Sequence, residues 1–380
     1  MEVTTMKDYN TVYVGMDVHK ENFSLCCYTF ENDTTAHAQT ILADYRLVLK
    51  YLDSMRRCYG ESAEFVCGYE AGCLGYTLYR ELTAHNVICK ILAPSTIPTV
   101  QGKKHIKTDK RDAANIAKCL ANRSYNAVHV PTKDDEQVKE FIRMRDDHKQ
   151  ALKRTKQQIL AFCLRQGIHY TGGDTWTQKH LQWLHSLKLD GIYQEILTEY
   201  LLTYDKLDET LKRLDRRIEE LAEGDRYREP VHKLKCFIGI ETHTALSLVA
   251  EISDFNRFSS AEKFASFLGL VPGERTSCDS QHRLGITKAG NSHLRRLLTE
   301  SAHCFGRGKI GYKSEKLKKR QQGNSPEVIR YADKANERLR RKFYKMTFAG
   351  KKHNVASTAI ARELACFVWG MMTDHISVVS

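Results

Sequence analysis

A chain of 380 residues, 42% of them hydrophobic, is long enough to bury more than one core, and its 59 Lys and Arg against 46 Asp and Glu leave a net charge of +13. That excess points to an anionic partner, nucleic acid before any other, over a merely basic surface. No apolar run approaches the ~20 residues a bilayer requires, the opening MEVTTMKDYN lacks a signal peptide's order, and the 12 cysteines are scattered without a CxxC pair, so a cytoplasmic protein with reduced thiols and no membrane partner is expected.

Thr11 to Asp17 (TVYVGMD) alternates and is rich in β-formers. Phe23 to Phe30 is a second such run after VHKEN, which predicts a hairpin with Asp17 ending its first strand. Ala36 to Leu42 extends the sheet, and Tyr45 to Arg57 has helical spacing in Leu49, Leu52 and Met55. Phe65 to Glu70 is a further strand ending on an acid, Leu74 to His85 a helix, and Val87 to Leu92 another strand. Such alternation indicates an α/β domain with a mixed sheet over roughly the first 125 residues.

His105 to Leu120 (HIKTDKRDAANIAKCL) sets Asp109 and Asp112 one helical turn apart, on one face, among Lys103, Lys104, Lys107, Lys110 and Arg111. Two anions among cations make a poor core and suit a divalent metal beside a phosphate. A lone acid is ordinarily solvated or capping, but sites in open α/β sheets form at strand ends. Asp17, Glu70, Asp109 and Asp112 are therefore candidates together.

From Asp134 to Arg165 the chain is highly charged with sparse apolar residues, and Tyr204 to Leu221 spaces Leu207, Leu211, Leu214, Ile218 and Leu221 as a heptad seam. An antiparallel helical pair, or a coiled coil between subunits, is expected. At its tip TWTQKHLQWLHSL is helical, with Trp176 and Trp183 serving an apolar face more readily than base stacking. Past Pro230, KLKCFIGIETHTALSLVAEI reads as a short helix, a Gly-centred turn and an apolar helix, a pattern like a helix-hairpin-helix whose turn amides can hold a phosphate. After the apolar FASFLGLV and Pro272, the polar GERTSCDSQHRLGITKAGNSHLRR predicts a surface loop leading into a helix. It carries Ser277 and Ser280 close to Arg275, His282, Arg283, Lys288, Arg295 and Arg296. Guanidinium groups beside a hydroxyl suit phosphate chemistry. The basic tract Lys313 to Arg320 is either phosphate-contacting or solvated, and the apolar helix Ala356 to Met372 packs back on the body.

Taken together, VYVGMDVHKENF, CGYEAGCLGYTLYREL, KTDKRDAANIAKCL, FIGIETHTALSLVAEISDFNRF, FASFLGLVPGERTS and LGITKAGNSHLRRLL closely resemble the bridge-RNA-guided insertion-sequence transposases of the IS110, or DEDD, family. The resemblance spans most of the chain. It implies an α/β, RuvC-like (RNase H-like) domain over 1–128, a helical coiled-coil hairpin over 129–228, and a mainly α transposase domain over 229–380 with the helix-hairpin-helix-like element. It places the family's four acids on Asp17, Glu70, Asp109 and Asp112, which would hold Mg2+ or Mn2+, and its nucleophilic serine on Ser277, with Ser280 as a fallback. Lys107, Lys110, Arg111, Arg275, Arg283, Lys288, Arg295 and Arg296 would contact nucleic acid. The implied partners are donor and target DNA, a structured noncoding bridge RNA, and further copies of the chain in a dimer or tetramer. Two positions depart from the family pattern: Cys278 follows the serine where Gly is usual, and Glu241 ends a turn that usually reads Gly-Ile-Gly. The competing readings are a metal-dependent nuclease or Holliday-junction resolvase using water, and a non-catalytic nucleic-acid-binding protein.

Overall fold

Five strands drawn from the first 92 residues form one mixed sheet: β1 (Thr11–Val18), β2 (Asn22–Thr29), β3 (Thr34–Leu42), β4 (Glu64–Glu70) and β5 (Ile88–Leu92). Their order is β3-β2-β1-β4-β5, with β1, β2 and β3 antiparallel and β1, β4 and β5 parallel. This computed structural model describes residues 10–72, 74–94, 109–277 and 280–376, with side chains except at 110 and 274–283. The chain divides into two compact units, 1–130 and 131–380.

In the first unit the two faces of β1 do different work. Val12, Val14 and Met16 are fully buried and join Phe65, Cys67 and Tyr69 of β4 against α1 (Tyr45–Tyr59), which contributes Val48, Tyr51, Leu52 and Met55. Burying a Val or Leu side chain fully contributes about 1.5–3 kcal/mol, so this layer fixes α1. Asp44 caps α1 by accepting from the Arg46 amide. The opposite face carries α3 (Asp109–Ala121), whose Ile116, Cys119 and Leu120 pack with Leu92. The helix expected from Leu74 starts later, as α2 (Thr77–Ala84), because Gly75 has φ +61°, outside the helical region. Cys27, Cys67 and Cys89 are free thiols in the sheet core, and burial pushes Cys27 and Cys89 up to about 12, which leaves them unreactive.

The second unit is built on two long helices, α4 (Lys133–Arg165) and α6 (Ile192–Ala222). Thr132 caps α4, and Asp134, Asp135 and Glu136 favour its N-terminus. Val138 and Ile142 share a cluster with Ile218 and Ala222, Arg145 meets Asp215, and Phe162 packs on Tyr193 and Tyr200. The two helices therefore run antiparallel within one chain. Between them lies α5 (Gln178–Ser186). Trp176 stacks on Tyr204 with Lys156 over its ring, and Trp183 packs against Tyr170 and His180, so both indoles serve packing.

The rest of this unit comprises α7 (Asp225–Leu234), α8 (Thr242–Ile252), α9 (Ala261–Phe267), α10 (Ser292–His303), α11 (Glu315–Gln321), α12 (Pro326–Phe348) and α13 (His353–Met372). Helix α7 begins before Pro230 instead of after it. By length and composition α13 is the one helix among the described residues able to cross a bilayer. Ala356, Ile360, Ala361, Leu364, Ala365 and Val368 are nevertheless fully buried in the unit's core, the role expected for this helix. The polar segment after Pro272 is not the expected loop. It forms a hairpin of β6 (Pro272–Ser277) and β7 (Ser280–Ile286), held by a backbone ladder that needs no apolar alternation.

Candidate active site

Two glycines shape the face of the sheet under α3. Gly15 and Gly68 are register partners on the parallel strands β1 and β4. A Cβ on Gly15 would lie 2.0 Å from the Ala113 carbonyl oxygen and 2.3 Å from the Ala117 amide nitrogen, and one on Gly68 would lie 2.8 Å from Leu120 Cδ2. The missing side chains let α3 lie directly on the backbone. Because strand side chains alternate, Asp17 and Glu70, each two residues on, project from the same face. The helix turn that lies beyond Ala113 toward them is the first turn of α3, which holds Asp109 and Asp112.

His19, one residue past the end of β1, joins them. Its Nε2 lies 3.2 Å from Asp17 Oδ2 and 3.9 Å from Asp109 Oδ1. Asp17, His19 and Asp109 each offer an atom within 4.8 Å of the others, a metal-capable group. The sequence reading missed this histidine, although its two-residue offset from Asp17 was the available signal.

Burial pushes the Asp17 carboxyl above its ordinary value; His19 opposes this, and the charges of Asp112 and Asp109 add to the rise. The charges of Asp109 and Asp112 thus bear on Asp17, and the His19 imidazole opposes them. A divalent cation fits this donor set, since oxygen donors and crowded negative charge are what hard cations compensate. Glu70 is exposed at the end of β4, one residue beyond the last β1 pair. The carboxylates at the start of α3 also meet the positive end of the helix dipole.

The second unit holds the serines. Ser277 and Ser280 are opposite each other at the closed end of the β6–β7 hairpin, and Arg275 pairs with His282 and Glu274 with Arg283 along it. Lys107 and Cys278 lie outside the described residues, as do the side chains of Lys110, Arg275, Ser277, Ser280 and Arg283. Arg111 is exposed on α3, and Lys288 follows β7 with φ +56°.

Arg295 and Arg296 make contacts within the chain. Arg295 donates to the Leu268 carbonyl at 2.9 Å, and Arg296 bonds Asp146 and Glu300. Asp146, nearly buried on α4, is also met by Arg145 at 3.1 Å and by His243 Nε2 at 3.0 Å. Burial alone would raise its carboxyl, but the bonds from His243 and Arg145 and the charge of Arg296 hold it well below the usual range. These contacts brace α4 against α8 and α10. Glu241, at the N-terminus of α8, is likewise engaged by Lys316 at 2.6 Å and Arg320 at 3.4 Å. The bond from Lys316 lowers its carboxyl, so the departure at this turn carries its own counterions. Within the basic tract, Lys313 pairs with Asp333 and Lys318 with Glu315.

The acid cluster and the serine hairpin each fall in a segment shared with known proteins. Residues 14–167 match the DEDD transposase family of IS110 elements, and residues 231–309 match the transposase IS116/IS110/IS902 family. The chain is 32% identical to y4qE of Sinorhizobium fredii over 374 residues, covering 97% of this chain and 90% of that protein. It is 34% identical over 348 residues to the transposase for insertion sequence element IS1533 of Leptospira borgpetersenii, covering 90% and 98%. The transposase for IS1328 of Yersinia enterocolitica is 23% identical over 366 residues, covering 96% and 98%. The acid-bearing sheet and the serine hairpin thus sit in the two segments that define one group of enzymes, and the chain belongs to the IS110 family of insertion-sequence transposases.

Proposed function

We propose that this transposase cuts and rejoins DNA with Ser277 as nucleophile and with a divalent ion, Mg2+ or Mn2+, held by Asp17, Glu70, Asp109 and Asp112. The observation that carries the proposal is the convergence of Asp17 and Asp109 on one face of the sheet within the DEDD segment. The strand order β3-β2-β1-β4-β5 supports an RNase H-like fold for 1–128, and the antiparallel α4–α6 pair supports a helical hairpin over 129–228 ahead of a transposase domain over 229–380. When bound, the ion supplies positive charge that orients a DNA phosphate and stabilises the charge developing on it.

Ser277 Oγ forms a bond to phosphorus as the bond from phosphorus to the 3′ oxygen breaks. The hydroxyl proton is lost, the 3′ oxygen gains one, and the 5′ end stays on the protein as a phosphoserine ester. Reversal by another 3′ hydroxyl rejoins strands without ATP, because the ester conserves the phosphodiester bond. Lys107, Lys110, Arg111, Arg275, Arg283, Lys288, Arg295 and Arg296 would steady the phosphates, with Arg295 and Arg296 also bonded within the chain.

We infer further that a structured noncoding bridge RNA selects target and donor DNA by base pairing in a cytoplasmic oligomer, a dimer or tetramer. A charge of +13 spread along the chain suits a protein that reads backbone and shape. Sequencing the RNA that co-purifies with the protein tests this: one structured RNA encoded beside the gene supports it, and random cellular RNA contradicts it.

A water nucleophile at the same carboxylates is the competing reading, favoured by the acids belonging to one compact unit while Ser277 belongs to the other. Ser277→Ala and Asp17→Ala separate the two. The serine mechanism predicts that both abolish recombination and that Ser277→Ala yields no protein–DNA adduct. Cleavage that survives Ser277→Ala and is lost in Asp17→Ala would establish the hydrolytic reading.

A further inference from the structure

We propose that His19 is a nitrogen ligand of the divalent ion, which makes this a mixed nitrogen and oxygen site that prefers Mn2+ to Mg2+. The inference rests on the metal reading of Asp17 and Asp109 above. Asp17 lies on β1 and His19 one residue past its end, where the His19 amide still donates to the Asn22 carbonyl at 2.9 Å, so the turn after the strand holds the imidazole beside Asp17. Its Nε2 sits 3.2 Å from Asp17 Oδ2 and 3.9 Å from Asp109 Oδ1, at one corner of a triangle with the two carboxylates. All three donor atoms lie within 4.8 Å of one another, a separation that one ion bridges.

The chemistry of the donor decides the ion. Mg2+ favours oxygen ligands and keeps its waters, so an imidazole adds little to its binding. Transition ions accept imidazole nitrogen as well as carboxylate oxygen. The His19 side chain is 53% exposed and that of Asp109 57%, so the ion would remain open to solvent on that side, where a phosphate oxygen can replace water. Exposure also means that His19→Gln removes the nitrogen donor without cutting into the core.

The test uses the full-length protein with Mn2+ alone as the probe, read by electron spin echo envelope modulation and by equilibrium binding. In the wild type, bound Mn2+ shows coupling to a directly ligated imidazole nitrogen. His19→Gln loses that coupling and weakens Mn2+ binding by about tenfold or more, while Mg2+ binding, measured by competition, changes by less than about threefold. Asp17→Asn loses binding of both ions. Nitrogen coupling that persists in His19→Gln, or that is absent from the wild type with Mn2+ bound, overturns the role of His19 and leaves the carboxylate site standing. Failure of the wild type to bind Mn2+ at all overturns the metal reading and this inference with it.

Discussion

Replacing Gly15 by Ala should disable the acid cluster without touching any acid. The added Cβ would sit 2.0 Å from the Ala113 carbonyl oxygen, where ordinary contact begins near 3.4 Å, and 2.3 Å from the Ala117 amide nitrogen. Both obstacles are backbone, so no side-chain rotation relieves them, and α3 must retreat by roughly 1.4 Å. Overpacking of this kind costs about 3 kcal/mol, roughly 10 °C in Tm for a unit of this size. The retreat also carries Asp109 and Asp112 away from Asp17, and a displacement of ~1 Å in a catalytic group costs about a hundredfold in rate. Thermal unfolding, Mn2+ binding and recombination on the same preparation give three readouts. Gly72→Ala is the control, because the nearest atom to its Cβ is 3.9 Å away. A Gly15→Ala protein with wild-type Tm and wild-type metal affinity would refute the close approach of α3 to β1 as the device that assembles the site.

Asp146→Asn should destabilise the second unit by about 3–5 kcal/mol at neutral pH, since it leaves Arg145, His243 and Arg296 without their shared anion. Because the folded carboxyl lies below its ordinary value, its stabilisation is complete above the unfolded pKa near 4 and is lost as pH falls toward the folded one. Urea unfolding between pH 7 and pH 2.5 should therefore show a steep acid loss in the wild type that is shallower in the variant, and parallel curves would contradict this. Glu241→Gln should release Lys316 and Arg320, tighten non-specific DNA binding and steepen the slope of log affinity against log salt by about one; an unchanged slope would show that these cations do not reach DNA. Trp176→Ala should cost about 3 kcal/mol through the lost packing on Tyr204 and Lys156. RNA affinity should stay within about twofold of the wild type, and a sharp fall with stability unchanged would indicate base stacking instead.

The sheet is legible in the sequence because most of its strands are rich in β-forming residues, and because Asp17 and Glu70 lie next to or at the ends of two of them. The spacing of Asp109 and Asp112 likewise announced a shared helix face. Periodicity could not announce that Gly15 and Gly68 are register partners, a relation between strands with a helix between them in the chain. The offset of His19 from Asp17 is visible in the sequence, but its second neighbour, Asp109, is 90 positions away and comes close only when α3 lies on β1. The β6–β7 hairpin is hidden in the sequence because GERTS and SQHRLG are polar, and a ladder of backbone bonds leaves no hydrophobic signature. Charge was the least informative feature. Arg296 resembles a phosphate ligand in sequence, and nothing in the sequence announces its bond to Asp146, on a helix 150 residues earlier.

The most direct test of the account is to map the covalent intermediate. Wild-type protein is incubated with its co-purified RNA, substrate DNA and Mn2+, quenched in denaturant, digested, and sequenced by mass spectrometry. The account predicts a nucleotide mass on the peptide containing Ser277, attached at Ser277 and not at Ser280, and absent in Asp17→Ala. Efficient strand cleavage with no nucleotide on either serine would contradict it.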